Sequence, residues 1–185
     1  MIRTVTSAAR MGPAAAIVIL FLGGAVITSG YSIGLGLGTP LLTSWLSVLA
    51  VASACVVPLA ATFPNLEGMF IRLPAAKSIR LGLASALAGP AFAVFATLDA
   101  MSALPLGLAL FLAFGFLSAA LAPEIAPLLT LAFGGAAVMV DHLVLNHPIS
   151  SVLTRAGLPA VSVILILTAT FYVLWPQTGL PHKNG

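Results

Sequence analysis

Charge is what this sequence has least of. Only 6% of its 185 residues are charged, whereas a soluble domain carries roughly 25% charged residues. The hydrophobic fraction is 61% and the mean hydropathy is +1.18. This composition excludes a water-soluble fold and indicates an all-α integral membrane protein.

Chemistry-bearing residues are also scarce. The one cysteine, Cys55, lies in an apolar run and excludes an intramolecular disulfide. The sequence has no phosphate-binding Gly-x-x-x-x-Gly-Lys-Ser/Thr motif, and no legible Ser-His-Asp set or carboxylate pair. We therefore predict that the chain is not an enzyme, has no cofactor of its own, and leaves any ATP to a partner subunit.

Six apolar segments approach the roughly 20 residues that a membrane-spanning helix needs. Arg3 and Arg10 precede the first segment as in a signal peptide, but no small-x-small cleavage site follows, so we expect a retained helix. The sequence therefore predicts one domain of six transmembrane helices, at about 13–30, 41–62, 81–98, 103–121, 125–145 and 158–175.

The basic residues fix the predicted orientation. With the N-terminus inside, six fall on the inner side and only Arg155 falls outside, which is the bias of cytoplasmic loops. We read the basic excess as this bias and not as a nucleic-acid surface. Trp45, Tyr172 and Trp175 lie near segment ends and are predicted to be interfacial aromatics. The inner set comprises Arg3, Arg10, Arg72, Lys77, Arg80 and Lys183.

The loop between segments two and three contains the only cluster of charges, which is expected in water or at the headgroups. It predicts a short amphipathic helix, with Asn65 as N-cap, Glu67 in the first turn, Arg72 in the last turn and Pro74 ending it. Such a helix either rests on lipid or docks into a groove of a cytoplasmic partner. Its apolar stripe is Leu66, Met69, Phe70 and Leu73.

The same loop carries a family resemblance. Glu67-Gly68, then Arg72-Leu73-Pro74 and the basic Lys77 and Arg80, stand between spans two and three of an N-in, C-in chain. In this the chain resembles the membrane (permease) subunit of ABC-2-type ABC transporters.

The resemblance implies a function and partners. It implies two copies, or one copy and a homologous membrane subunit, in the lipid bilayer of a bacterial plasma membrane. Cytoplasmic ATPase subunits would bind a coupling helix formed by Leu66, Glu67, Met69, Phe70, Arg72 and Leu73. Export of an amphiphilic peptide, antibiotic or lipid is the implied activity. The family also places a partly re-entrant helical element on the outer side, which here would be residues 146–158.

Two other functions remain open on the sequence. The chain has the length, span number and apolarity of a substrate-binding subunit of an energy-coupling-factor vitamin importer. A third possibility, after the importer, is a membrane assembly or anchor subunit that transports nothing. A vitamin bound to the purified chain would favour the importer, whereas a neighbouring gene that encodes an ATPase would favour the exporter.

Two further groups of residues attract attention. Gly30, Gly34 and Gly38 are four residues apart and predict either a face for close helix packing or a flexible outer loop. The other group, at the end of segment five, indicates an outer vestibule or merely a polar helix end. Its two histidines are five residues apart, which does not suit a shared metal ion, so no metal is predicted. Its members are Asp141, His142 and His147.

Overall fold

The computed structural model describes residues 11–28, 32–33, 41–60, 73–98, 103–141 and 148–175. The all-α class is confirmed in these ranges, apart from two paired two-residue strands, β1 (Ser32–Ile33) and β2 (Leu41–Leu42). A short 3-10 helix, Val57–Leu59, continues α2. The α-helices are α1 (Met11–Ile27), α2 (Thr43–Val56), α3 (Leu73–Leu98), α4 (Ala103–Leu121), α5 (Ala126–Met139) and α6 (Pro148–Leu174).

Three of the described helices are long and apolar enough to cross a membrane. They are Ala75–Leu98 in α3, Ala103–Leu121 in α4 and Gly157–Leu174 in α6. The other apolar helices, Met11–Ile27, Thr43–Leu59 and Ala126–Met139, have no more than 17 residues. The described structure thus contains one helix for each predicted span, but only three of them reach membrane-spanning length.

Helix α4 lies at the centre of the bundle. It packs most extensively against α6 and also contacts α2, α5 and α3. In its span 78% of the residues are buried inside the protein, whereas the buried share is 22% in the span of α3 and 11% in the span of α6. Helix α2 is the second central element, because it contacts α1, α3, α4 and α5.

The outer surface of the bundle is apolar. Large hydrophobic side chains are exposed on α1, α5 and α6, which is unlike the surface of a soluble monomer. Such a surface is compatible with a membrane protein, because hydrocarbon can cover it without cost. Representative exposed residues are Ile19, Leu20, Leu128, Phe133, Ile166 and Leu167.

Hydrogen bonds join the ends of neighbouring helices at both ends of the bundle. At one end, Lys77 at the start of α3 bonds to the end of α6, and Arg80 bonds to Leu59 after α2. At the other end, Thr43 at the start of α2 donates to the Thr28 carbonyl after α1. We call the first the basic end and the second the opposite end. The end of α1 thus lies beside the start of α2, and the end of α2 lies beside the start of α3, as an up-and-down arrangement requires.

Helix α3 begins earlier than the predicted span. The sequence predicted that Pro74 ends an amphipathic helix and that the span begins at Leu81. In the structure Leu73 and Pro74 instead open α3. Proline is well tolerated in a first turn, because the N–H that it lacks has no partner there anyway. Lys77 and Arg80 therefore lie within α3.

Helix α6 contains a break at Gly157. Its backbone has φ 71° and ψ 175°, a conformation that is open essentially only to glycine. The break coincides with the predicted start of the sixth span at Leu158. The preceding residues 148–156 are helical, which is the part of the expected outer element that the structure describes.

Candidate functional site

Two cations are buried at the basic end. Lys77 and Arg80 have only 3% and 2% of their surface exposed, although the sequence predicted them in water or at the headgroups. An isolated buried charge is costly, so each must find polar partners within the protein. The partners come from the ends of neighbouring helices.

Lys77 caps the end of α6. Its Nζ atom donates to the Tyr172 carbonyl at 3.1 Å and to the Trp175 carbonyl at 2.6 Å. The same ammonium lies 5.4 Å from the centroid of the Tyr172 ring, within cation–π range. The last carbonyls of a helix lack intrahelical partners and carry a partial negative charge, so a cation stabilises them.

A second contact set joins α2 to the same place. The Arg80 Nη1 atom donates to the Leu59 carbonyl at 3.4 Å. The Tyr172 hydroxyl donates to the same carbonyl at 3.3 Å. Two donors from two different helices thus converge on one carbonyl oxygen after α2.

We call these contacts the basic junction: the side chains of Lys77, Arg80 and Tyr172, with the carbonyls of Leu59 and Trp175. It holds together the end of α2, the start of α3 and the end of α6. Residues 61–72, the segment with the predicted docking helix, connect two of these three ends.

Comparisons with protein-family models, with curated proteins and with solved structures found no match. What the chain does must therefore be inferred from the contacts of its own residues.

Most of the predicted partner-binding residues lie outside the described ranges. These are Leu66, Glu67, Met69, Phe70 and Arg72; Leu73 is described as the first residue of α3. The predicted packing glycines Gly30, Gly34 and Gly38 are also outside them.

Only one residue of the predicted outer vestibule is described. Asp141 follows α5 at the opposite end and is 4% exposed, so it is not simply a solvated helix end. His142 and His147 fall outside the described ranges. Within those ranges, no three His, Cys, Asp or Glu residues form a group able to hold a metal ion.

Two of the predicted interfacial aromatics are core residues instead. Tyr172 is fully buried in the basic junction, and Trp45 is buried against α4. Trp175 is 40% exposed beside Phe171, with the ring centroids 4.6 Å apart, which suits an interfacial position. Hydropathy along the chain could not separate these cases, because all three residues lie near helix ends.

Close packing depends on glycines that the sequence did not single out. A Cβ atom at Gly107 would lie 2.5 Å from the Trp45 ring, and one at Gly115 would collide with Val56 Cγ2. Both contacts join α4 to α2, so the two central helices approach closely where α4 has no side chain. The only signal in the sequence was a glycine within an apolar segment.

Proposed function

We propose that the chain is the transmembrane subunit of an ABC transporter, of the exporter type. Its six helices would lie in a bacterial plasma membrane with both termini inside, and separate ATPase subunits would bind and hydrolyse ATP. The observation that supports this proposal best is the basic junction, because it lies at both ends of the segment where the partner is expected.

Through the basic junction, a movement of residues 61–72 would be passed to the helices on both sides of this segment. A partner that moves residues 61–72 pulls on Leu59 at one end and on the first turn of α3 at the other. Hydrogen bonds from Lys77, Arg80 and Tyr172 pass this displacement to α6. ATP-driven closure of the partner would thus change the tilt of three helices together.

The proposed cargo is an amphiphilic peptide, an antibiotic or a lipid. Between the basic junction and Asp141, the buried side chains of the described helices carry hydroxyl groups, the Trp45 indole and the Cys55 thiol, but no charge. A bundle of this kind offers hydrocarbon-like surfaces to a cargo and no fixed ion pair, which suits a molecule that already partitions into lipid.

A test of this function uses the apolar stripe of the predicted docking helix. Phe70→Asp is expected to weaken binding of the ATPase subunit at least about thirtyfold, the loss typical of a central apolar anchor. Co-purification from bacterial membranes measures it, and Phe70→Leu serves as the matched control that retains an apolar side chain. If the ATPase subunit co-purified equally well with Phe70→Asp, the exporter proposal would be contradicted. A vitamin bound to the chain purified alone would favour the importer.

Two copies of the chain are proposed to pair through α3. Exposed residues of α1, α5 and α6 are mostly large, whereas Ile79 is the only large hydrophobic residue exposed on α3 between residues 75 and 98, where its side chains are described. Small residues let two helices approach closely in a membrane. The exposed small residues of α3 include Gly82, Ser85, Ala86, Gly89, Ala93 and Ala96.

Polar groups on the same face support pairing over contact with lipid. Pro90 has no N–H to give to the Ala86 carbonyl, and both residues are exposed near the middle of the helix. In the hydrocarbon core of a membrane, a backbone carbonyl without a hydrogen-bond donor costs on the order of several kcal/mol. The neighbouring Ser85 hydroxyl is exposed too, so two crossing copies of α3 bring a donor and an acceptor together.

Gly89→Leu tests the pairing. A Cβ atom at Gly89 meets nothing within 4 Å inside the chain, so the larger side chain leaves the monomer intact. We expect it to lower the dimer fraction at least about tenfold, measured by cross-linking in liposomes over a range of dilutions. Gly23→Leu on α1, which is also exposed and meets nothing within 4 Å, is the matched control. Equal dimer fractions in the two variants would contradict pairing through α3.

A further inference from the structure

Helices α2 and α5 leave a groove between them in the half of the bundle near the opposite end. Towards the basic end the two helices are joined, because the Ser53 hydroxyl donates to the Pro127 carbonyl at 2.7 Å. Beyond this contact, a cavity of about 220 Å³ lies between Leu46 and Leu49 of α2 and residues 131–139 of α5. We call this cavity the α2–α5 groove.

A pair of glycines shapes the groove. A Cβ atom at Gly134 would collide with Leu49, so this glycine lets Leu49 pack directly on the backbone of α5. Gly135 has no such role, because its Cβ atom would lie 3.7 Å from Leu49 Cδ2, which is an ordinary van der Waals contact. Glycine weakens a helix relative to alanine, and packing within the chain does not account for it at this position. The bare backbone of Gly135 instead forms part of the groove wall and leaves room for a molecule from outside.

The chemistry of the lining restricts what the groove can bind. Every side chain that lines it is apolar, and none carries a hydrogen-bond donor. An extended peptide would bring amide N–H and C=O groups that find no partner on these side chains, which is costly inside a membrane. A hydrocarbon chain brings no polar groups and gains dispersion contacts with the groove walls. The lining therefore favours a hydrocarbon chain over a peptide.

The shape of the surface disfavours a second helix as the occupant. Close packing of helices in a membrane needs small residues at the contact. Gly135 and Ala136 are small, but the groove is also lined by exposed large side chains, namely Leu46, Leu131 and Met139. These large side chains would hold a helix away from the small residues. A single acyl chain is thin enough to lie between them.

We propose that the α2–α5 groove binds one acyl chain of a membrane lipid. The lipid belongs to the leaflet at the opposite end, because the groove lies in that half of the bundle. Its chain fills the space between two helices that Ser53 joins further along, and it stabilises the bundle as any ligand of the folded state does. This inference requires only that the bundle lies in a membrane, so it does not depend on the proposed transport function.

Native mass spectrometry of the full chain tests the site. The chain is purified in a steroid detergent, whose rigid rings are wider than an acyl chain, and is mixed with dioleoyl phosphatidylglycerol. We expect the native chain to retain one lipid. Gly135→Leu places a side chain in the groove and is expected to lower the lipid-bound fraction at least about tenfold. Gly23→Leu on α1 adds the same side chain away from the groove and is expected to retain the lipid.

Two further lipids separate binding of the acyl chain from binding of the headgroup. Dioleoyl phosphatidylcholine has the same chains on a headgroup without net charge, and we expect it to bind about as well. Short-chain phosphatidylglycerol keeps the headgroup but loses apolar contact with every missing methylene. It is expected to bind at least about tenfold more weakly.

Several results would overturn the acyl-chain site. They are a native chain that retains no lipid, equal retention by Gly135→Leu and Gly23→Leu, and retention that follows the headgroup instead of the chain length. A loss of dimer in Gly135→Leu with unchanged lipid binding would assign the groove to a second copy. If Gly135→Leu does not fold, Ala136→Leu adds the same side chain at an exposed position of the lining and must give the same loss of lipid.

Discussion

Replacing Tyr172 by alanine is expected to lower the free energy of unfolding by about 3–5 kcal/mol, the range known for truncating a buried aromatic side chain. Tyr172 is among the largest fully buried side chains described, and its ring lies under Lys77 while its hydroxyl reaches Leu59. The change therefore leaves a cavity and also removes a tie between α6 and α2. Equilibrium unfolding in detergent micelles measures the loss.

A conservative variant separates the ring from the hydroxyl. Tyr172→Phe keeps the ring and loses the hydrogen bond of the hydroxyl to Leu59, so we expect the free energy of unfolding to fall by about 0.5–1.5 kcal/mol. Phe21→Ala is the matched control, because Phe21 is 37% exposed on α1 whereas Tyr172 is fully buried. A loss at Phe21 equal to that at Tyr172 would contradict the assignment of Tyr172 to the core.

Gly115→Ala is expected to destabilise the bundle by about 1–3 kcal/mol, as for other overpacked cores. The added methyl group would collide with Val56, whose branched side chain is stiff, and would lie 3.1 Å from the Thr130 hydroxyl. Relief requires α4 to move away from α2. The free energy of unfolding in micelles is again the measurement.

Another glycine provides the matched control for Gly115. Gly23→Ala introduces the same methyl group in α1, where nothing lies within 4 Å. It is expected to be neutral or to gain up to about 1 kcal/mol, because alanine is the better helix former. Gly134→Ala should fall between the two, since its close neighbour is the flexible end of Leu49. Equal effects at Gly23 and Gly115 would rule out close packing as the reason for the loss at Gly115.

The order of the six described α-helices could be predicted because hydropathy and proline positions depend on local sequence alone, although only three of these helices reach membrane-spanning length. The start of α3 could not. Lys77 and Arg80 lower the local hydropathy and made the span seem to begin at Leu81, eight residues after α3 begins. Their carbonyl partners come from Leu59, Tyr172 and Trp175, far away in the sequence, and no local pattern announces such a contact.

The sequence also could not predict which side chains pack against each other. Trp45 and Trp175 both lie near a helix end, yet one is buried and the other is not. The difference comes from Gly107, which makes room for the Trp45 ring on a helix more than fifty residues away. The sequence supplies the glycine and the tryptophan, but their pairing depends on how α2 and α4 meet in space.

The central position of α4 has a consequence for biosynthesis. Helices leave the ribosome in order, so α4 emerges when α2 is already made, but before α6, with which it shares its most extensive contact. Until then, the α6-facing side of α4 must be covered by lipid or by an insertion factor. Helix α6 therefore completes the contacts of α4 only after its own synthesis, and its end is then capped by Lys77 of the earlier helix α3.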